Sequence, residues 1–233
     1  VNPDGQQSGT AQVLVVPPLA VVSLAPEILL VEQAATISLG GTFRAGVTHV
    51  DAANINGQPS VSNSAISFGV NIPGANPPSH YSITLSEPTT FGQTALTRTI
   101  PVQFPLPVLN SLSPIEIDAT TTENGAPQIV TLTGEGFTSR TGVFAGLRDL
   151  SSFITSRTAT SLTLTFPAGT FSTPEIVQVR TENPGNRVSG TQTLTIRNVA
   201  PIASALSPQT LTAGIGGSLT ITGSKFFSNT VTQ

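Results

Sequence analysis

A nucleophilic triad or a transition-metal centre needs imidazole or thiolate, and this chain offers two histidines, His49 and His80, and no cysteine. Neither histidine sits in a recognisable nucleophile motif. The second half of the chain has none, so a catalytic site common to repeated units is excluded. Hard cations need only oxygen ligands. The tightest oxygen-rich group is Asp118, Glu123 and Asn124, within the run Asp-Ala-Thr-Thr-Thr-Glu-Asn-Gly. It lacks the Asp-x-Asp-x-Asp-Gly spacing of a dedicated calcium loop, so it reads first as a solvated turn and second as a calcium site. Gly214-Ile215-Gly216-Gly217 precedes an alternating, strand-like segment and reads as a turn, where a phosphate cradle would open a helix. No cofactor is expected. Arg140, Arg148 and Arg157 come nearest to a basic patch. With charged residues at 9% and a net charge of −3, the chain has no cationic surface for nucleic acid or anionic lipid.

These residues must be positioned by a repeated unit. Asn2-Pro3 through Gly9-Thr10 matches Asn183-Pro184 through Gly190-Thr191. Leu206-Ser207-Pro208 with Leu219-Thr220-Ile221-Thr222-Gly223 repeats Leu112-Ser113-Pro114 with Val130-Thr131-Leu132-Thr133-Gly134. The expectation is a window on a tandem array. Residues 1–16 would close a preceding module, 19–104 form a degenerate module and 106–198 a complete one, and 201–233 open a truncated one. A shift of 94 residues carries Gly40 and Phe43 onto Gly134 and Phe137. It also carries Phe68, Val70 and Ile72 onto Leu162, Leu164 and Phe166, and Ile83 and Leu85 onto Val177 and Val179. Each set alternates with polar residues, the signature of strands with one buried face.

Ile37 and Leu39 fall out of step with Val130 and Leu132 in this alignment, which predicts a bulge at Gly40-Gly41. Glycine and proline punctuate at short intervals and no helical period is sustained, so each module reads as an antiparallel β-sandwich. The apolar stretch from Ala11 to Val31 is broken by Pro17, Pro18, Pro26 and Glu27, so it reads as two strands with a linker rather than a membrane span. Pro105-Leu106-Pro107-Val108 and Val199-Ala200-Pro201-Ile202 are short, proline-bearing linkers, predicted to be semi-rigid.

The Ser-Pro ending of the leading strand (Ser113-Pro114, Ser207-Pro208), the Thr-Leu/Ile-Thr-Gly-x-x-Phe strand (Thr131 to Phe137, Thr220 to Phe226) and the Asn-Pro-x-x-x-x-Ser-Gly hairpin resemble the IPT/TIG family of immunoglobulin-like domains. The second module carries the whole pattern. The first has Ala25-Pro26 in place of Ser-Pro, and no Asn-Pro hairpin near Glu87-Pro88. The resemblance implies tandem immunoglobulin-like sandwiches of the bacterial surface type. Pro26, Gly40, Phe43, Pro114, Gly134, Phe137, Pro208, Gly223 and Phe226 are expected to be structural: proline ends a strand, glycine permits a bend, phenylalanine plugs the core beneath it.

The expected function is non-enzymatic: a semi-rigid spacer, or the building unit of a surface fibre, filament or sheath, in a large extracellular or cell-surface protein. Its partners would be neighbouring modules of the same chain and, in a filament, further copies. The alternative is an adhesin or carbohydrate-associated module with a glycan or protein ligand, for which Tyr81 is the one aromatic residue nominated to stack on sugar. Unfinished end modules would also leave strand edges open to another chain.

Overall fold

Period-2 alternation of Val, Ile, Leu and Thr makes strands of the regular elements among the described residues, apart from a 3-10 turn at Ser151–Phe153, and the packing of two such faces makes the core. The structure, a computed structural model, describes residues 3, 5, 9, 15–88, 95–120, 126–198 and 200–226. The chain divides into two compact units, Val1–Gln103 and Phe104–Gln233. The Asn2–Thr10 repeat and the closing strands expected within residues 1–16 lie almost wholly outside the described residues.

Unit 1 holds β1 (Ala20–Ala25), β2 (Leu29–Leu30), β3 (Ala34–Thr42), β4 (His49–Ala52), β5 (Ile55–Val61), β6 (Ala65–Asn71), β7 (His80–Ser86) and β8 (Ala95–Gln103). They form two sheets ordered β1-β3-β6-β5 and β2-β8-β7-β4. Ile37 and Leu39 from the first sheet and Ile83 and Leu85 from the second are all buried. Each such side chain contributes about 1.5–3 kcal/mol by leaving water. The short β2 runs parallel to β8. The leading strand therefore starts in one sheet, breaks at Pro26, and finishes in the other.

In unit 2 the strands are β9 (Val108–Ser113), β10 (Glu116–Asp118), β11 (Gln128–Glu135), β12 (Gly142–Ala145), β13 (Arg148–Asp149), β14 (Ile154–Arg157), β15 (Ser161–Phe166), β16 (Glu175–Asn183), β17 (Arg187–Val188) and β18 (Gln192–Arg197). One sheet runs β14-β15-β11-β9 and the other β10-β18-β16-β12-β13, with β17 on β16. Their inner faces share one apolar cluster including Val130, Leu132, Val143, Leu162, Leu164 and Leu194. Here Phe166 is packed edge-on by Phe153 and Phe171. Again β10 pairs parallel with β18 after the break at Pro114. A further hairpin, β19 (Ile202–Ser207) and β20 (Thr220–Ser224), repeats the β9–β11 pairing. The peptide bonds preceding Pro26, Pro114 and Pro208 are all cis. Each unit is an all-β, immunoglobulin-like sandwich: the alternation called for packed sheets, and the resemblance implied their immunoglobulin-like form.

The pairing register corrects the alignment of the two copies. Gly41, not Gly40, is the counterpart of Gly134 and Gly223. A Cβ on Gly41 would lie 1.9 Å from the Ala20 carbonyl oxygen. On Gly134 it would lie 2.0 Å from that of Val108, and on Gly223 1.9 Å from that of Ile202. Gly41 and Gly134 are 93 residues apart, so Ile37 and Leu39 fall in step with Val130 and Leu132. The apparent slip arises because Gly41 and Phe43 are separated by one residue, whereas Glu135 and Gly136 separate Gly134 from Phe137.

The bulge expected at Gly40-Gly41 lies in the partner strand. Val21 and Ser23 pair with Gly41 and Gly40, leaving Val22 extra, and Asn110 is the extra residue opposite Thr133 and Gly134. In the β6/β15 strand the counterparts are 96 residues apart, because Leu39 pairs with Ile66 where Leu132 pairs with Leu162. The shift from 94 to 96 residues is even, so it preserves which side chains face the core.

The corrected register also makes Thr181 the counterpart of Leu85: Leu85 pairs with Val50, and Thr181 with Val143. Thr181 is fully buried and its hydroxyl lacks a partner. Desolvating an unpaired hydroxyl costs about 1–3 kcal/mol. Thr181→Val, which keeps the shape, should therefore raise the stability of unit 2 by about 1 kcal/mol, measured as a shift in denaturant midpoint. An unchanged or lowered midpoint would mean that the hydroxyl has a partner in solution.

Candidate functional site

The chemistry-bearing residues scatter rather than converge. His49 and His80 are both exposed. His49 pairs with Ser86 at the far end of β7 from His80, six residues away, which is about 20 Å along a strand. The His80 ring shares a 3.2 Å side-chain hydrogen bond with its neighbour Ser79. Asp118 lies on β10, where its carboxylate accepts a 3.0 Å hydrogen bond from Arg197 Nε. That guanidinium also reaches Glu116 at 3.3 Å. The Asp118 carboxylate holds the Arg197 guanidinium above its ordinary pKa, with Glu116 adding to the effect. Glu123 and Asn124 lie outside the described residues. Among the described residues no group of three or more His, Asp or Glu side chains gathers to hold a metal.

Each of the three arginines is engaged by its own neighbours. Arg140 lies over Phe104, and Arg148 stacks on Phe171 while pairing with Glu175 at 3.1 Å. Arg157 donates to the backbone oxygens of Ser139 and Thr141. Asp149 is held below the usual carboxylate range by hydrogen bonds from the side chain and backbone of Ser151.

Tyr81, nominated as a sugar-stacking ring, is instead buried at 2% exposure. Its period-2 position on β7 points it inward with Ile83 and Leu85, and its hydroxyl donates to the Ala53 carbonyl. Burial pushes its pKa up to about 12. A group whose folded pKa is raised gives stability that is complete below its unfolded value near 10 and lost as pH climbs through about 12. Because the chain has one tyrosine and no tryptophan, ultraviolet titration of phenolate reports this residue alone. The native midpoint should lie well above that in denaturant, and Tyr81→Phe should flatten the alkaline loss of stability; equal midpoints would refute its burial.

One polar constellation does recur. In unit 2 Asn183, 1% exposed, closes β16. Its Oδ1 accepts from Thr141 Oγ1 at 2.5 Å and from Thr138 Oγ1 at 3.3 Å. Its Nδ2 donates to the Pro105 carbonyl at 2.9 Å and to that of Gly136 at 2.8 Å. The Thr138 N–H is in turn bonded to Thr141 Oγ1 at 2.7 Å. Every hydrogen-bonding capacity of the amide is used.

Unit 1 solves the same problem with charge. Glu87 stands where Asn183 stands, and Thr48 where Thr141 stands. Thr48 Oγ1 donates to Glu87 Oε1 at 2.5 Å and accepts from the Arg44 N–H at 2.8 Å. A carboxylate has no proton to give a carbonyl, so Arg44 bonds both Glu87 and the Pro17 carbonyl. Pro17 and Pro105 each lie just ahead of a leading strand. Both latches therefore fasten the linker to the module it enters.

The Asn-Pro hairpin now has a physical account. Asn183 is the latch, and Gly185 and Asn186 take positive φ in the turn. The Ser189 hydroxyl accepts the Thr181 N–H at 2.9 Å, and the Ser189 N–H returns to Thr181 O at 2.9 Å. Sequence reading missed Arg44 and Glu87 because Thr138 and Asn183 stand in their places in the other copy, and Thr48 because a shift of 94 sets it against Gly142 rather than Thr141. The Glu87-Pro88 dipeptide was the available signal.

No family model matches the chain, and no curated protein matches it. Among solved structures, it is similar to SGBP-B from a complex xyloglucan utilization locus in Bacteroides uniformis, at 16% identity and TM-score 0.31. That alignment covers 77% of this chain and 49% of that one. It is also similar to the plexin A4 extracellular region, at 13% identity and TM-score 0.33, covering 88% of this chain and 18% of that one. Titin domains A168-A170 align at 11% identity and TM-score 0.42, over 76% of this chain and 64% of theirs. The chain thus spans about half or less of the first two. At these identities the likeness is one of fold alone. No helix among the described residues is long and apolar enough to cross a membrane.

Proposed function

We propose that this chain is a non-enzymatic spacer: IPT/TIG-like sandwiches joined by linkers that are fixed to the modules they enter, serving a large extracellular or cell-surface protein. The recurrent latch supports this reading most strongly. Pro105 and Pro107 are buried, and Asn183 holds the Pro105 carbonyl. The Leu106 carbonyl oxygen lies where a Cβ on Gly136 would be 2.7 Å away. A linker buried and hydrogen-bonded in this way keeps few rotatable bonds, as a semi-rigid spacer requires. A fibre or sheath is one assembly such a spacer would serve.

A carbohydrate-binding module usually presents an exposed ring for stacking. Among the described aromatic residues none is exposed: Tyr81 is buried, and half-buried Phe144 carries Arg180 over its ring at 5.0 Å. The deciding experiment uses the absence of cysteine. Ser82→Cys in unit 1 and Thr158→Cys in unit 2 provide two spin-label sites for a distance distribution between the units. A single narrow distribution is expected. A broad one would sink the spacer reading, and saturable binding on a glycan array would favour the carbohydrate module instead.

A further inference from the structure

We propose that the outer edge of β4 is a docking edge, to which an extended segment of a partner polypeptide adds as an antiparallel strand. The two copies differ at this place. In unit 2 the chain covers the edge of β12 itself: β13 pairs Arg148 with Ala145 and Asp149 with Phe144. The next residues satisfy Val143, whose carbonyl accepts the Leu150 N–H at 2.8 Å and whose N–H donates to Ser151 Oγ at 3.0 Å. Leu150 then enters the core at 1% exposure.

Val50 is the counterpart of Val143, since Val50 pairs with Leu85 where Val143 pairs with Thr181. The alternation of an antiparallel ladder therefore turns the Val50 N–H and C=O away from β7. Only Ala53 and Asn54 separate β4 from β5, with Asn54 at φ 55°. No described strand takes the place of β13.

What stands there is a cleft of about 350 Å³ between β4 and β5, lined by His49, Val50, Ile55, Gln58 and Pro59 among others. The bowing of β5 opens it. Asn56 pairs with Gly69 and Ser60 with Ser67, so Gly57, Gln58 and Pro59 stand opposite Phe68 alone. Pro59 has no N–H with which to close the gap. An edge with outward backbone groups beside an open cleft is a template for strand addition. The lining contains no carboxylate, lysine or guanidinium. The fitting partner is thus an extended segment, uncharged where it faces the cleft, with an apolar side chain at the position Leu150 takes in unit 2 and a backbone N–H to give to Val50.

The chain supplies the probe. A blocked peptide of the sequence of residues 147–152, Leu-Arg-Asp-Leu-Ser-Ser, is titrated into the isotope-labelled full chain. Saturable amide shifts are expected at His49–Ala52 and at residues 57–60, and exchange of the Val50 amide should slow at least about tenfold. The same peptide N-methylated at the second leucine should lose both effects, with no change to the protein. Absence of shifts at β4, shifts confined to β19 and β20, or equal binding by the N-methylated peptide would each overturn the proposal.

Discussion

Gly134→Ala should destabilise unit 2 by at least about 3 kcal/mol, a large share of the 5–15 kcal/mol that holds a domain of this size. The added methyl would meet the Val108 carbonyl oxygen at 2.0 Å and the Phe137 ring at 2.6 Å. The first neighbour is backbone, so no rotamer change relieves it. Either β9 must move off β11, which breaks the register around Asn110, or β11 must shift and withdraw Leu132 from the core. Two controls separate this contact from glycine's general conformational freedom. Gly190→Ala meets nothing within 4 Å and should be close to neutral. Gly146→Ala also meets nothing but has φ +59°, so it should cost about 1 kcal/mol. Phe137→Leu in the Gly134→Ala background should recover little, because the carbonyl contact remains. Denaturant melts of the four chains test the ranking; a Gly134→Ala penalty no larger than that of Gly146→Ala would show that β9 does not approach β11 so closely.

The sequence announces this glycine better than its neighbours. The triplet of a β-branched or Leu strand, a glycine and a following phenylalanine recurs three times, because backbone contact tolerates no side chain and the aromatic plug tolerates no polar substitute. Period-2 alternation likewise reveals strands and their buried faces, since burial acts on each side chain separately. What the alignment by a single shift obscures is everything that depends on pairing. Gly40 takes the place of Gly41 in that alignment because Phe43 follows its glycine one residue sooner than Phe137 does, and only the hydrogen-bonded register shows which glycine is the counterpart. Tyr81 passes for a surface ring when an aromatic is sought to stack on sugar, yet it opens the inward alternation that Ile83 and Leu85 continue along β7, which already puts it inside. The latch is hardest to see. Carbonyl oxygens of a linker need donors, but sequence does not say whether an amide or a guanidinium will supply them, and the two copies choose differently.

That difference makes the latch testable by exchange. Asn183→Leu removes both donors and both acceptors at once. It leaves the Pro105 and Gly136 carbonyls and the Thr138 and Thr141 hydroxyls facing an apolar side chain in a site 1% exposed. Each buried group stranded in this way costs about 1–3 kcal/mol before relaxation admits water. The expected net loss is about 3–4 kcal/mol in unit 2, with hydrogen exchange accelerating first at residues 104–108. Asn183→Glu alone should be as damaging, because a carboxylate repels the two carbonyl oxygens and adds a desolvated charge. Thr138→Arg together with Asn183→Glu rebuilds the unit 1 arrangement, in which Arg44 bonds both Glu87 and Pro17. The pair should recover at least half of the loss, a coupling that only groups in direct contact produce. Glu87→Gln should destabilise unit 1, since it replaces a charge-assisted bond to Arg44 by a neutral one in a site where the Glu87 side chain is 0% exposed. Recovery by the double substitution would mean that linker fixation is the shared requirement behind two different chemistries. Additive damage would mean that each copy holds its linker for reasons of its own.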